Sequence, residues 1–110
     1  MGKYRKRPVV VEAEPFRLGL EDGWAFRWPS GMLSDHSTGG NAPATLRAKL
    51  ADMEASGEFA KDEGRPAIVP IINTAEGCHV IGADDWVITG MKGERYPCKP
   101  DIFAATYDPA

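Results

Sequence analysis

Turn-forming residues interrupt the last third of the sequence every eight to twelve residues or so, and this spacing limits the fold more than any other feature. The segments between the turns are short and rich in apolar residues: 67–74, 78–81, 86–90, 95–98 and 102–107. Short segments of this kind are typical of a small antiparallel sheet or barrel. We therefore expect a β-rich region over residues 66–108, with Pro70 at a bulge or at an edge position.

One segment breaks this pattern and predicts a helix over about 43–56. Leu46, Leu50 and Met53 follow one another at helical spacing and form a single apolar stripe. Pro43 suits the first turn of such a helix, and Gly57 suits its end. The polar residues between the apolar ones are expected to face water.

The N-terminal half predicts two further strands. Residues 7–16 alternate between apolar and polar side chains, so one face is expected to be buried and the other to carry Glu12 and Glu14. The residues expected to face the core are Val9, Val11 and Ala13. Residues 17–42 read as an irregular insertion rich in glycine and tryptophan, with a short strand in which Trp24, Phe26 and Trp28 share one face.

These elements predict an α+β fold, with a small twisted antiparallel β-sheet or partial barrel and one main α-helix, in a single domain over 1–110. Hydrophobic residues make up 43% of the chain and charged residues 26%, which is typical of a globular protein. No apolar run approaches the roughly 20 residues of a membrane-spanning helix, and no secretory signal pattern is present. We therefore expect a cytoplasmic protein.

The net charge is −3, and the basic residues of the N-terminus stand apart from an acidic body: Lys3, Arg5, Lys6 and Arg7. A nucleic-acid-binding protein usually has a basic face, so nucleic acid is an unexpected partner. Cys78 and Cys98 are expected to be reduced thiols. Together with His36 and His79 they lack the close spacing of zinc ligands, so neither a metal nor another cofactor is predicted. No serine stands in a nucleophile motif, and we predict no catalytic residues and no enzyme.

Two clusters of residues are candidates for ligand binding. In the first, Trp24 and Trp28 could stack on a planar ligand while Arg27 meets a phosphate. The alternative is that the aromatic side chains at this spacing are buried in the core. In the second, cations and a phenol lie close together in a segment that Pro97 and Pro100 stiffen: Lys92, Arg95, Tyr96 and Lys99. They could bind an anion, or they could belong to a rigid corner whose cations are solvated.

Both ends of the chain resemble a family of small phage and prophage proteins. At the N-terminus the resemblance rests on residues 3–13, KYRKRPVVVEA. At the C-terminus it rests on 85–90, DWVITG, 92–94, KGE, 96–103, YPCKPDIF, and 106–107, TY. The resemblance implies a phage-encoded product in the bacterial cytoplasm, and residues 17–40 depart from the pattern. It supplies no catalytic residues.

Two functions compete on these grounds. The first is a non-enzymatic binding protein, expected to be a homo-oligomer, that sequesters an anionic small molecule such as a nucleotide signal of host defence. The second is an interaction or inhibitory module that binds a host protein through a strand edge or through the glycine-rich loop. A nucleic-acid-binding role for the basic N-terminus ranks third.

Overall fold

The computed structural model describes residues 2–4, 10–60 and 64–109. Within these ranges the chain forms strands and helices in the following order: β1 Glu12–Pro15, β2 Gly23–Arg27, β3 Leu33–Thr38, α1 Ala42–Ala55, β4 Ala67–Thr74, β5 Gly77–Val80, β6 Trp86–Thr89, β7 Arg95–Cys98 and α2 Pro100–Thr106. A short 3₁₀ turn, Glu58–Ala60, follows α1. No helix among the described residues has both the length and the apolar character needed to cross a membrane.

The strands form two antiparallel sheets. One has three strands in the order β1-β6-β7, and the other has four in the order β3-β2-β4-β5. Neither sheet closes into a barrel. The predicted α+β fold with one main helix is confirmed, and its strands are divided between two sheets rather than joined in one.

The N-terminal and C-terminal segments pair with each other in the three-stranded sheet. β1 runs antiparallel to β6, from Glu12 opposite Thr89 to Pro15 opposite Trp86. Of the strand expected over 7–16, only 12–15 is extended and paired, and residues 7–9, with Val9, lie outside the described ranges. The predicted alternation holds where it is described, since Ala13 is half-buried and its neighbours Glu12 and Glu14 are exposed.

Helix α1 lies within one residue of its predicted bounds at each end. Pro43 is in its first turn, and Gly57 follows the last residues of the helix with φ +77°, a conformation that glycine adopts without strain. Leu46 and Leu50 are buried against Phe26 of β2 and form the first apolar core. A second core lies between the sheets and contains Ile72, Ile81 and Val87.

The strand predicted over 102–107 is wrong, because this segment forms α2. Pro100 fixes a helical φ in the first turn, where no backbone N–H is needed, and Asp101 places a carboxylate at the positive end of the helix dipole. The apolar residues at 102 and 103 were interpreted as strand, although Ala104 and Ala105 after them favour a helix.

The irregular segment expected over 17–42 is also wrong in part, because it contains β3 as well as β2. Strand β3 is an edge strand with a bulge, in which Asp35 and His36 oppose Ala25. Asp35 has φ +57°, a left-handed conformation that aspartate tolerates better than most residues. The sequence of β3 is almost entirely polar, so its period of two carries no hydrophobic signal.

The expectation that Pro70 lies at a bulge or at an edge position is wrong as stated, because β4 is an inner strand and its pairing with β2 shows no register shift. However, β5 pairs only with residues 71–74, and residues 67–70 have β2 as their neighbour. The Pro70 carbonyl accepts a hydrogen bond from the Ile81 N–H at 3.0 Å, just beyond the end of β5. Its missing N–H therefore costs only a terminal bond of the ladder.

Candidate functional site

Arg95 is held by partners in the segment that connects β1 to β2. Its Nη1 donates to Asp22 Oδ1 at 2.8 Å, and its Nη2 donates to the Leu20 carbonyl. Asp22 Oδ2 accepts a second bond, from the Asn73 N–H of β4 at 2.9 Å. The Asp22 carboxylate therefore links β7 of one sheet to β4 of the other, and its charge already neutralises the guanidinium that was expected to bind an anion.

Lys99 is paired in a similar way. Its Nζ lies 3.1 Å from Asp85 Oδ1, and Asp85 is a buried charged residue with 3% of its surface exposed. The other oxygen of Asp85 accepts a hydrogen bond from the Gly82 N–H at 2.7 Å. The ammonium of Lys99 thus compensates a buried carboxylate, which would be costly to leave unpaired.

Lys92 and Tyr96 complete the second predicted cluster, and neither converges with the other cations. Lys92 is exposed in the turn between β6 and β7. The Tyr96 hydroxyl lies 3.1 Å from that of Tyr107. This hydrogen bond, together with burial, raises the pKa of Tyr96 to about 12. The structure therefore does not bring the four predicted residues together around one space.

A groove of about 520 Å³ lies between the β4–β5 turn and β7. Arg95 and Tyr96 line it, but so do the carboxylate-bearing residues Glu76 and Glu94. Since Arg95 is neutralised by Asp22, the remaining charges at this groove are negative. The groove is therefore a poor place for an anionic ligand.

The aromatic residues of the first predicted cluster belong mainly to the core under α1. Trp24 and Trp28 both pack against the cluster of Phe26, Leu46 and Leu50. The Trp28 ring meets that of Phe26 edge to face, with centroids 6.3 Å apart and an angle of 88° between planes. Trp24 is half-buried against the core, in line with the alternative in which these aromatic side chains belong to the core. Trp28 packs there too, but it also lines a second surface.

That second surface is an open depression of about 400 Å³ at the end of β2, which we call the arginine depression. It is lined by two arginines, by apolar side chains and by the backbone of a turn: Arg27, Trp28, Pro29, Gly31, Arg65, Ala67 and Val69. The Arg27 side chain is exposed and has no carboxylate within 4 Å among the described residues. Arg65 approaches only Glu54, at 3.8 Å, with both side chains more than half exposed. Such an exposed pair is weak and is easily displaced.

The register of β2 and β4 places the two arginines side by side. Arg27 lies opposite Ala67, and Arg65 is two residues before Ala67 on the same face. Because Pro66 follows Arg65, the backbone of Arg65 is restricted to extended conformations that continue the line of β4. Gly64, at φ +69°, passes so close to Pro29 that an added Cβ would lie 3.2 Å from its ring. The loop before β4 is thus seated against the turn after β2.

Sequence reasoning missed Arg65 and Pro29 of this depression, and it also missed the two carboxylates that occupy the other cations, Asp22 and Asp85. Arg65 is distant from Arg27 in sequence, and only the pairing of β2 with β4 brings them together. A correct strand register for the apolar run at 67–74 is the signal that would have found it.

Three nucleophilic side chains of the described region, those of Ser34, Cys78 and Cys98, are hydrogen-bonded or poorly ionised. Ser34 Oγ accepts from Trp28 Nε1 at 2.6 Å and donates to Asp35 at 3.1 Å. A hydrogen bond from Lys49 lowers the pKa of Asp35, which makes this carboxylate a weaker base. Cys78 and Cys98 are free thiols, and burial raises the pKa of each. The thiol forms that result are the less reactive ones.

Comparison of the chain with models of known protein families, with curated proteins and with solved structures finds no match.

Proposed function

We propose that the protein binds a small phosphate-bearing molecule in the arginine depression and does not transform it. The observation that carries this proposal is that two exposed arginines, Arg27 and Arg65, line the same depression. Ala67 and Val69 line it as well and provide an apolar floor. Arginine binds phosphate through two parallel hydrogen bonds, and an apolar floor accepts the flat part of a ligand. Sequestration of a nucleotide signal of host defence stays a prediction.

The charge distribution favours this depression over the cations near the C-terminus. Arg95 and Lys99 each face a carboxylate within 3.1 Å, and an incoming anion would have to displace Asp22 or Asp85. Displacing Asp85 would leave a buried negative charge without its partner, at a cost of several kcal/mol. Among the described residues, no carboxylate lies within 4 Å of Arg27 and would have to be displaced.

Three of the four sheet edges are poorly suited to strand addition by a partner protein, which favours ligand binding, whereas the edge of β5 has no proline or bulge. The Phe16 N–H donates toward β6 at 2.7 Å, so the ring nitrogen of Pro15 faces the free edge of β1. The Gly90 N–H donates to the Glu94 carbonyl at 2.8 Å, and by alternation Pro97 faces the free edge of β7. The bulge at Asp35 interrupts the edge of β3. Prolines and bulges at such positions hinder the pairing of an added strand.

Isothermal titration calorimetry with nucleoside mono- and diphosphates tests the proposal. We expect Arg27→Gln to weaken binding at least about tenfold, because a hydrogen bond to a charged group contributes about 1.5 to 3 kcal/mol. Arg47→Gln is the matched control, since Arg47 is an exposed arginine of α1 that does not line the depression. Chromatography of the nucleotide after incubation with the protein should recover it unchanged.

Two results would contradict the proposal. One is the absence of binding by any of these nucleotides at millimolar concentration. The other is binding that Arg27→Gln and Arg47→Gln affect equally, which would place the ligand elsewhere on the molecule.

A further inference from the structure

The arginine depression offers two separate anion-binding groups rather than one. Arg27 ends β2 opposite Ala67, Arg65 precedes Ala67 by two residues, and both arginines line the depression. Each guanidinium presents a rigid planar fork of donors that matches one phosphate. Two forks crowded onto a single phosphate would bring two positive charges together, whereas two adjacent phosphates give each fork its own partner.

The other described side chains that line the depression offer little hydrogen bonding by which a nucleotide base could be recognised. The indole N–H of Trp28 is already donated to Ser34 Oγ at 2.6 Å. The remaining side chains that line the depression are those of proline, alanine and valine, which have no hydrogen-bonding group. A base placed there would contact apolar surface, and no lining side chain except the arginines could pair with its polar edge.

We infer that the depression selects ligands by an adjacent pair of phosphates and is nearly indifferent to the base they carry. This inference rests on the proposed function, because it names the ligand class of the same site. It predicts that inorganic pyrophosphate is a sufficient ligand and that a nucleoside without phosphate is not. Hydrogen-bonded read-out gives the large discrimination factors of specific sites, and without it purine and pyrimidine diphosphates should bind within about tenfold of each other.

The test compares inorganic phosphate with pyrophosphate by calorimetry, in the wild type, Arg27→Gln, Arg65→Gln and the control Arg47→Gln. We expect pyrophosphate to bind at least about tenfold tighter than phosphate to the wild type, as one more charged hydrogen-bonded pair implies. Each depression variant should lose most of that preference, and Arg47→Gln should keep it. ADP, GDP and UDP are titrated in parallel as the base series.

The outcomes separate the two proposals. Equal binding of phosphate and pyrophosphate, with nucleotides still weakened by Arg27→Gln, overturns the inference and leaves the proposed function standing. A spread across the base series far beyond tenfold also overturns it. The absence of binding by every phosphate compound overturns both.

Discussion

The contact between Asp22 and Arg95 gives the most direct test of how the two sheets are joined. Asp22 accepts two hydrogen bonds, from Arg95 Nη1 at 2.8 Å and from the Asn73 N–H at 2.9 Å. The partners lie 73 and 51 residues away in sequence, and they belong to different sheets. Asp22→Ala removes both bonds at once and leaves the guanidinium without its carboxylate.

The expected loss follows from the exposure of the pair. A hydrogen bond that involves a charged group contributes about 1.5 to 3 kcal/mol, and a fully exposed ion pair contributes about 1 kcal/mol or less. The side chains of Arg95 and Asp22 are 29% and 32% exposed, between these limits. We expect Asp22→Ala to lower the free energy of unfolding by about 2 to 3 kcal/mol and Arg95→Ala to lower it by about 2 kcal/mol.

A double-mutant cycle isolates the interaction itself. Urea unfolding of the wild type, both single variants and the double variant can be followed by tryptophan fluorescence, and we expect a coupling of about 1 kcal/mol or more. The matched control is the cycle of Glu14 and Arg17, which lie 3.6 Å apart with side chains 48% and 66% exposed. Its coupling should be close to zero. Equal coupling energies in the two cycles would refute the view that the hydrogen bonds of Asp22 link the two sheets.

Two further predictions concern Asp35 of β3 and Phe103 of α2. Because the hydrogen bond from Lys49 lowers the pKa of Asp35, this carboxylate contributes stability that is present above its unfolded pKa of about 3.9 and is lost as pH falls through its folded pKa. The stability gap between the wild type and Asp35→Asn, which keeps a residue tolerant of positive φ, should therefore stay constant above about pH 5 and narrow as the pH falls below about 4 in urea titrations. A gap that stays the same at low pH contradicts the prediction. Phe103→Ala should cost about 2 to 3 kcal/mol and change the near-ultraviolet circular dichroism, because Phe103 stacks on Trp86 with ring centroids 4.1 Å apart. Ile102→Ala, on the exposed side of α2, is its control, and equal costs would contradict the stacking argument.

The sequence predicted those elements whose local signals agree with their tertiary environment. Helix α1 has a proline at its start, a glycine after its end and an apolar stripe that is buried, so propensity and packing lead to the same bounds. Strand β3 lacked any such agreement. An edge strand with a polar sequence owes its conformation to hydrogen bonds with β2, and a bulge at Asp35 further disturbs its period.

The candidate site was half predictable for the same reason. Arg27 and Trp28 are neighbours in sequence, and both line the depression. Arg65 joins them only through the β2–β4 register, which depends on long-range pairing that no local pattern specifies. The cations near the C-terminus posed the opposite problem. Their spacing was plain, but the carboxylates that neutralise them, Asp22 and Asp85, are brought in by the fold.

Several C-terminal residues contact one another, and these contacts give them a part in stabilising the fold. Trp86 stacks on Phe103, Phe103 stacks on Tyr107, and Asp85 pairs with Lys99. An added Cβ at Gly90 would meet the carboxylate of Glu94, so that side chain would have to move.

Each of these contacts joins residues in or next to β6, β7 and α2. They therefore stabilise the arrangement of these three consecutive elements. The arginine depression, by contrast, is built from residues 27–31 and 65–69, between the two terminal segments. Replacing residues 27–31 and 65–69 should therefore abolish ligand binding, while the three-stranded sheet still forms. Changing Phe103 or Asp85 should lower the free energy of unfolding and leave the affinity of the folded protein for phosphate unaltered.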